Sequence, residues 1–292
     1  VRSHDLGDAD PVADEVRSLV FSLHRMASGS GSPGARQATA AAFAHAVGTL
    51  HSQVLAPIES HGSGLVVVPT GVLHRLPWHA VARGEVVTVA PSVGSWLRST
   101  ARWKPLSNEA RVVLAAGPEL PGARSEVEAL APRYPNRVRL TGRSATAAAV
   151  LEALEGASLA HLAAHGTFRS DNPLFSSLQF HDGRITVYDL ERVRRAPTVV
   201  VMPSCDTAVS EVIEGDEILG LSAALLGMGV AALVAPVIPV PDRATRPLML
   251  DLHRHLATGL TPSAALAAAV NSAPDSDPEQ QAVRSAFVAL GV

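Results

Sequence analysis

The sequence predicts an α/β fold: a mostly parallel sheet covered by helices on both faces, preceded by a helical N-terminal segment. Short apolar runs that lack polar alternation are typical of strands buried on both faces. Segments with helical periodicity separate these runs, which favours strand–helix–strand units. With 292 residues, of which 47% are hydrophobic and 17% charged, the chain is long and apolar enough to bury a sizeable core.

Residues 10–60 carry helical patterns. Apolar residues recur at helical spacing from Val12 to Leu23, and again in an alanine-rich segment from Ala42 to Val54. A Gly/Ser/Pro stretch at residues 28–34 separates the two patterns. We therefore expect two antiparallel helices in this segment.

From residue 62 onward, strands and helices are expected to alternate. The predicted strands are 65–69, 86–90, 111–116, 137–140, 159–164, 198–203 and 230–235. The predicted helices are 92–101, 122–132, 144–155, 216–228, 242–258, 262–272 and 278–289. An Asp-Gly pair within residues 177–188 predicts a β-hairpin. Active sites of parallel sheets gather at the carboxyl ends of strands, so polar residues directly after a strand are the first candidates for function.

Charge and cysteine content exclude several classes of partner. The net charge is −3 and the arginines are scattered, which argues against a nucleic-acid partner or an anionic membrane surface. No apolar run approaches the roughly 20 residues of a membrane-spanning helix, so no membrane association is expected. The single cysteine excludes an internal disulfide and fits a reducing cytosol, so we expect a cytoplasmic protein.

That cysteine, Cys205, comes directly after the predicted strand 198–203. A free cysteine in a core is more often structural than reactive. Cys205 is instead flanked by Ser204 and Asp206 at the carboxyl end of a buried strand, where a substrate could reach the thiol. The pattern favours a nucleophilic role.

His165 occupies the matching place after another predicted strand. An imidazole near a thiol lowers the thiol pKa from about 8.5 towards neutrality, and the imidazolium can then protonate a leaving amine. Gly166 lets the backbone turn sharply, so the N–H groups of Gly166 and Cys205 are the candidate oxyanion hole. His161, four residues earlier, is expected to be a packed or hydrogen-bonded core residue.

The remaining histidines carry weaker signals. His74 and His79 lie in a proline-containing turn and are expected to support a loop, while His253 and His255 are expected on the surface of a late helix. His161 and His165 have the spacing of two zinc ligands, but the motif lacks the glutamate of metalloproteases and lies in a strand. We therefore predict no metal and no cofactor.

Several motifs together resemble the CHAT family, the caspase-like peptidases that are often fused to tetratricopeptide repeats. They are VVVPTGVLHRLPWHAV (66–81), PGARSEVEAL (121–130), AHLAAHGTF with NPLFSSLQF (160–180), VVVMPSCDTA (199–208) and GDEILGLSAALLGMGVAALVAPV (215–237). The resemblance covers roughly residues 62–275. Because the motifs occur in the same order as in the family, the resemblance is far more specific than any one motif would be.

The resemblance implies a caspase-haemoglobinase-like fold in which His165 and Cys205 form the catalytic dyad of a cysteine endopeptidase acting on a protein or peptide. It divides the chain into a helical segment, 1–61, and a protease domain, 62–292. Within the domain, 62–140 would be a degenerate first half and 141–292 the catalytic half. It further implies restraint by a regulatory domain or subunit, such as a repeat protein, in bacterial signalling or defence.

Specificity and the alternatives stay open at this point. Asp171, Asp206 and Glu211 are candidate substrate-binding carboxylates, although the two aspartates could equally stabilise turns. A non-catalytic interaction module with the same fold is one alternative, which a dyad too far apart or a plugged pocket would favour. A thiol hydrolase or acyltransferase acting on small molecules is the other, which a small closed pocket would favour.

Overall fold

The structure is a computed structural model that describes residues 4–58, 64–167, 169, 172–204, 223–272 and 277–292. Two N-terminal helices, α1 (Ala9–Ala27) and α2 (Pro33–Leu50), pack against each other, as predicted. Asp8 caps α1, and Ser32 caps α2 with a proline in the first turn, so side chains and sequence specify both helix starts. A π-helical turn, His51–Leu55, extends α2.

The predicted strands are all present, and one further strand completes the sheet. Over the described residues, the strands are β1 (Leu65–Val67), β2 (Val87–Val89), β3 (Val112–Ala116), β4 (Arg137–Leu140), β5 (Leu159–Ala163), β6 (Gly166–Thr167), β7 (Ser177–Gln179), β8 (Arg184–Thr186), β9 (Val199–Val201), β10 (Ala232–Pro236) and β11 (Phe287–Leu290). Eight of them form the central sheet in the order β1-β2-β11-β10-β9-β5-β3-β4.

The central sheet is mostly parallel, which confirms the predicted fold class. Its single antiparallel pairing joins β10 to β11, so β11, β2 and β1 run opposite to the other five strands. Strands of residues 62–140 form both outer edges of the sheet, and strands of residues 141–292 form its middle. The two stretches of sequence therefore share one hydrophobic core.

Helices cover both faces of this sheet. They are α3 (Trp78–Val81), α4 (Val93–Arg102), α5 (Pro121–Leu130), α6 (Ala147–Leu154), α7 (Val187–Leu190), α8 (described over residues 223–228), α9 (Asp242–Leu256), α10 (Pro262–Asn271) and α11 (Pro278–Ala286). Helix α5 packs against α9, which in turn packs against α10 and α11, whereas α6 packs against β3 and β4. No helix in the described ranges is long and apolar enough to cross a lipid bilayer.

The predicted helix 278–289 is wrong at its end, because α11 stops at Ala286 and β11 begins at Phe287. All four residues of β11 are buried between β10 and β2. A short apolar run that is buried on both faces has no period that distinguishes strand from helix, so tertiary pairing decided this segment.

The predicted hairpin at 177–188 is confirmed. Strands β7 and β8 pair antiparallel around Asp182 and Gly183, and β6 adds a third strand to this small sheet. Because β6 starts one residue after His165, the small sheet extends the chain directly from the carboxyl end of β5.

Candidate active site

Strands β5 and β9 are parallel neighbours, and their register sets the geometry of the site. His161 of β5 pairs with Val201 of β9. His165 lies four residues beyond His161, and sequence position 205 lies four residues beyond Val201. The described backbone of the β9 side continues to Ser204, whose side chain is buried at the same edge of the sheet.

Four of the predicted site residues lie outside the described residues. They are Cys205, Asp206 and Glu211, in segment 205–222, and Asp171. His165 and Gly166 are described: His165 is half-buried between β5 and β6, and Gly166 is the buried first residue of β6.

The imidazole of His165 contacts the backbone carbonyl of Glu119, with 3.4 Å between Nε2 and the oxygen. A carbonyl oxygen can only accept, so Nε2 carries the hydrogen in this contact. In a neutral imidazole the Nδ1 atom then holds the lone pair. The contact therefore favours the tautomer in which Nδ1 can take a proton from a neighbouring group.

Glu119 reaches His165 through an unusual backbone conformation in the loop between β3 and α5. Its φ of 61° lies in the left-handed region, which a side chain other than glycine seldom adopts. Gly117 ties the start of the same loop to β5, since its N–H donates to the Ala163 carbonyl at 2.8 Å. The loop between residues 117 and 120 is thus fixed against the carboxyl end of β5.

Gly117 is required by this close approach. A Cβ atom at position 117 would lie 2.6 Å from the Gln179 carbonyl oxygen and 2.9 Å from the Ala164 Cβ. Both distances are far below van der Waals contact, and the first neighbour is backbone. A side chain here would push β7 and the end of β5 away from the loop.

We expect Gly117→Ala to lower the free energy of unfolding by about 1–3 kcal/mol, the usual range for an overpacked site. Urea unfolding monitored by tryptophan fluorescence measures the change. Gly183→Ala is the matched control, because a Cβ there meets no atom within 4 Å, and its effect should stay within about 0.5 kcal/mol. Equal unfolding midpoints for Gly117→Ala and the wild type would contradict the tight approach.

The backbone N–H of Gly166 points away from the hairpin. The Gln179 N–H donates to the His165 carbonyl at 2.8 Å, and Gly166 pairs with Leu178. Hydrogen-bonded and non-hydrogen-bonded pairs alternate along antiparallel strands, so Gly166 occupies a non-hydrogen-bonded position. Its N–H is therefore not used in pairing with β7.

A buried hydrogen-bonded network lies behind His165, on the α5 and α9 side of the sheet. His161 is fully buried and bonds Glu126 through Nε2 at 2.9 Å and His253 through Nδ1 at 3.0 Å. The Nδ1 atom of His253 lies 2.7 Å from the Tyr134 hydroxyl oxygen, within hydrogen-bond distance. The Thr245 hydroxyl lies 2.9 Å from the second carboxylate oxygen of Glu126. The predicted core role of His161 is confirmed.

The predicted surface position of His253 is wrong, because the side chain is fully buried. It lies one turn after Met249 on the apolar face of α9, and its partners come from residues that are distant in sequence. Burial lowers the pKa of His253 well below the usual range. His255 is half-buried on the same helix.

His74 and His79 stabilise the loop region in different ways. The His74 Nε2 atom lies 2.6 Å from the Pro69 carbonyl oxygen, which closes the turn. His79 is buried, and its Nε2 has no hydrogen-bond partner among the described residues. Burial lowers the pKa of His79 to about 4, so the imidazole is neutral at pH 7.

Within the described part of the chain, no group of three or more His, Cys, Asp or Glu side chains could hold a metal ion. Two contributors to the site, Gly117 and Glu119, were not predicted from the sequence. Glu119 acts through its backbone carbonyl, which leaves no signal in the residue type. Glu126 was also not predicted, because a single glutamate on a helix usually faces solvent.

The comparisons with known proteins agree with this architecture. The model of the CHAT domain family matches residues 44–291, which is wider than the stretch that the motifs indicated. No curated protein matches the chain.

Two solved structures share the fold. Separase in the Saccharomyces cerevisiae separase–securin complex superimposes with a TM-score of 0.59 and 13% identity, over 78% of this chain and 16% of that chain. The complex of the RgpB pro- and mature domains from Porphyromonas gingivalis has a TM-score of 0.50 and 11% identity, over 97% of this chain and 75% of that chain. The chain thus spans about a sixth of the separase chain.

At such low identities the superpositions establish the fold alone. It is the caspase-like fold that separase shares with RgpB, which is a gingipain. The family match is the stronger finding, because it extends over most of the sequence and includes strand β5 and His165 just beyond it. The chain belongs to the CHAT domain family.

Proposed function

We propose that this chain is a cysteine endopeptidase in which Cys205 attacks a peptide bond and His165 acts as general base and then general acid. The observation that carries the proposal is the register of β5 and β9. Residues 165 and 205 are each four positions beyond a pair of residues that face each other in adjacent parallel strands. Adjacent strands lie about 4.8 Å apart, and Cys205 follows the described Ser204 by one Cα step of about 3.8 Å.

The protonation of His165 supports this assignment. In the tautomer that the contact with the Glu119 carbonyl favours, Nδ1 is the ring nitrogen that would accept the proton of the Cys205 thiol. The thiolate then forms a bond to the substrate carbonyl carbon, and the carbon–nitrogen bond breaks as the imidazolium gives its proton to the leaving amine. Water hydrolyses the thioester, passing one proton through His165 back to the thiol.

The developing oxyanion requires donors that are already oriented. The Gly166 N–H supports this role, because it points away from β7 and lies beside His165. The N–H of Cys205 would be the second donor. Asp171, Asp206 and Glu211 remain the proposed contacts for a basic or polar substrate side chain.

The cellular role is proposed from the family. Separase was crystallised with securin, a protein partner, which supports regulation of this chain by a second domain or subunit. We propose that the helical segment 1–61 and the protease domain 62–292, with 62–140 as its degenerate first half and 141–292 as its catalytic half, act together in bacterial signalling or defence in the cytoplasm.

A peptide library and a thiol-directed acyloxymethyl-ketone probe test the proposal. The wild type should cleave a subset of peptides and take up one equivalent of probe, whereas Cys205→Ala should do neither. Cys205→Ser controls for loss of the side-chain volume and should also remain unlabelled. A wild type that is labelled but hydrolyses only small thioesters or amides would favour a small-molecule thiol hydrolase. A wild type that is neither labelled nor active would favour a non-catalytic interaction module.

A further inference from the structure

Two polar contacts join the chain around α5 to the chain around β5: one is buried between the two elements, and the other lies just outside them at the site. The buried contact is the bond between Glu126 and His161, and the second is the contact between the Glu119 carbonyl and His165. On β5, four residues separate the two histidines, a span of about 13 Å. Seven residues separate Glu119 from Glu126, about 10 Å at helical rise and more where the chain is extended. A shift of α5 along β5 would break both contacts together.

Helix α9 holds α5 in this position. The Asp242 carboxylate accepts a hydrogen bond from the Gly122 N–H at 2.6 Å, and a Cβ at Gly122 would lie 2.8 Å from the Asp242 backbone. Three residues later on α9, the Thr245 hydroxyl lies 2.9 Å from Glu126 and 2.8 Å from the Asp242 carbonyl. The amino-terminal turns of the two helices are therefore docked as one unit.

With Glu126 as a carboxylate and both imidazoles neutral, the buried network has one fully satisfied arrangement of hydrogens. The Tyr134 hydroxyl donates to His253 Nδ1, the His253 Nε2–H donates to His161 Nδ1, and the His161 Nε2–H donates to the Glu126 carboxylate. Depression of the His253 pKa by burial supports neutral His253. The groups that face His161 are thus Glu126 from α5 and His253 from α9, with Tyr134 and Arg133 beyond them.

Glu126 is only 1% exposed, so its carboxyl oxygens depend on these hydrogen-bond partners. A carboxylate without hydrogen bonds in such a place would be strongly destabilised. The requirement is directional: the carboxylate is satisfied only when α5 sits where both His161 and Thr245 can reach it. The hydrogen bonds of the Glu126 side chain therefore select one register of α5 on β5.

We propose that Glu126 and His161 are positioning residues for His165: their buried hydrogen bond fixes the register that brings the Glu119 carbonyl to the Nε2 of His165. The Glu119 carbonyl then maintains the Nε2–H tautomer of His165. The proposal rests on the proposed function of His165 as general base. Neither residue contacts the substrate.

The test measures the tautomer of His165 by long-range ¹H–¹⁵N correlation spectra of protein labelled at histidine, with the His165 signals assigned from their loss in His165→Asn. The wild type should show the Nε2–H form. In Glu126→Ala, we expect loss of that single pattern and appearance of the Nδ1–H form, with kcat reduced about 10- to 100-fold and KM changed little.

Three further variants complete the design. Glu126→Gln keeps the acceptor for His161 and a donor for Thr245, so it should restore the wild-type tautomer and rate. Thr245→Val is isosteric and removes one bond to Glu126, so it should give a smaller shift in the same direction if Glu126→Ala does not fold. Glu128→Ala is the control on the same helix, since that carboxylate is exposed and pairs with Arg124.

The outcomes separate this proposal from the proposed function. If the Glu126→Ala tautomer shifts but the wild type cleaves no peptide, the positioning role is supported and the peptidase role fails. If the wild type cleaves peptides while Glu126→Ala or Thr245→Val loses stability with an unchanged His165 tautomer and kcat, the pair is structural only and the positioning proposal is overturned.

Discussion

Replacing His165 by alanine is expected to lower the rate of peptide cleavage by about 10²–10⁴-fold, the usual contribution of a general acid–base residue. The variant loses the group that would deprotonate the thiol and the acid that would protonate the leaving amine. KM should change less than kcat, because the imidazole is needed for bond rearrangement. Steady-state kinetics on a peptide selected from the library measure the two constants.

His181→Ala is the control for this prediction. His181 is exposed, and its backbone N–H donates to the Ala145 carbonyl, a bond that the substitution keeps. The control should retain the wild-type rate. Wild-type kinetics in His165→Ala would show that another residue is the general base. That result would not contradict Cys205 as the nucleophile.

Acidification from pH 6.5 to pH 4 is expected to destabilise the protein by about 3 kcal/mol through His79 alone. In the folded protein, burial lowers the pKa of His79 to about 4, whereas the unfolded chain has the ordinary value of 6.5. Below pH 6.5 the unfolded state binds more protons than the folded state, so the free energy of unfolding falls as the pH falls. His253 adds a change in the same direction, because burial depresses its pKa as well.

Urea unfolding at several pH values measures this effect, and His79→Phe isolates it. The phenyl ring fills a similar volume and cannot titrate, and the buried Nε2 that it replaces has no partner in the described residues. The variant should therefore lose less stability than the wild type between pH 6.5 and pH 4. His181→Phe, at an exposed position, should follow the wild-type curve. Parallel curves for His79→Phe and the wild type would show that His79 does not carry the acid sensitivity.

Much of the fold could be predicted because burial leaves a local pattern. The runs at Val112–Ala116 and Val199–Val201 are apolar at every position, as strands covered on both faces must be. The start of a helix also leaves a local pattern: at α2, the capping residue Ser32 is followed directly by Pro33 in the first turn. Where the pattern has no period, as in Phe287–Leu290, the neighbouring strands decided the structure.

The candidate site divides in the same way. The position of His165 and Gly166 after a buried strand could be predicted, because a polar residue and a glycine directly after an apolar run are visible in one sequence. Their catalytic roles remain predictions. Cys205 was predicted on the same ground and remains a prediction. His253 could not be predicted to be buried, since its partners Tyr134 and His161 are 119 and 92 residues away in the chain.

By itself, then, the sequence determined the class of sheet, the strands whose ends carry His165 and precede Cys205, and the order of motifs that indicates the family. Only the tertiary structure decided the register that pairs His161 with Val201, the contact of the Glu119 carbonyl with His165, and the buried bond of Glu126 to His161. The reason is physical: apolar burial is encoded in residue types along the chain, whereas a backbone carbonyl or a buried carboxylate acquires its partner only when distant segments pack together.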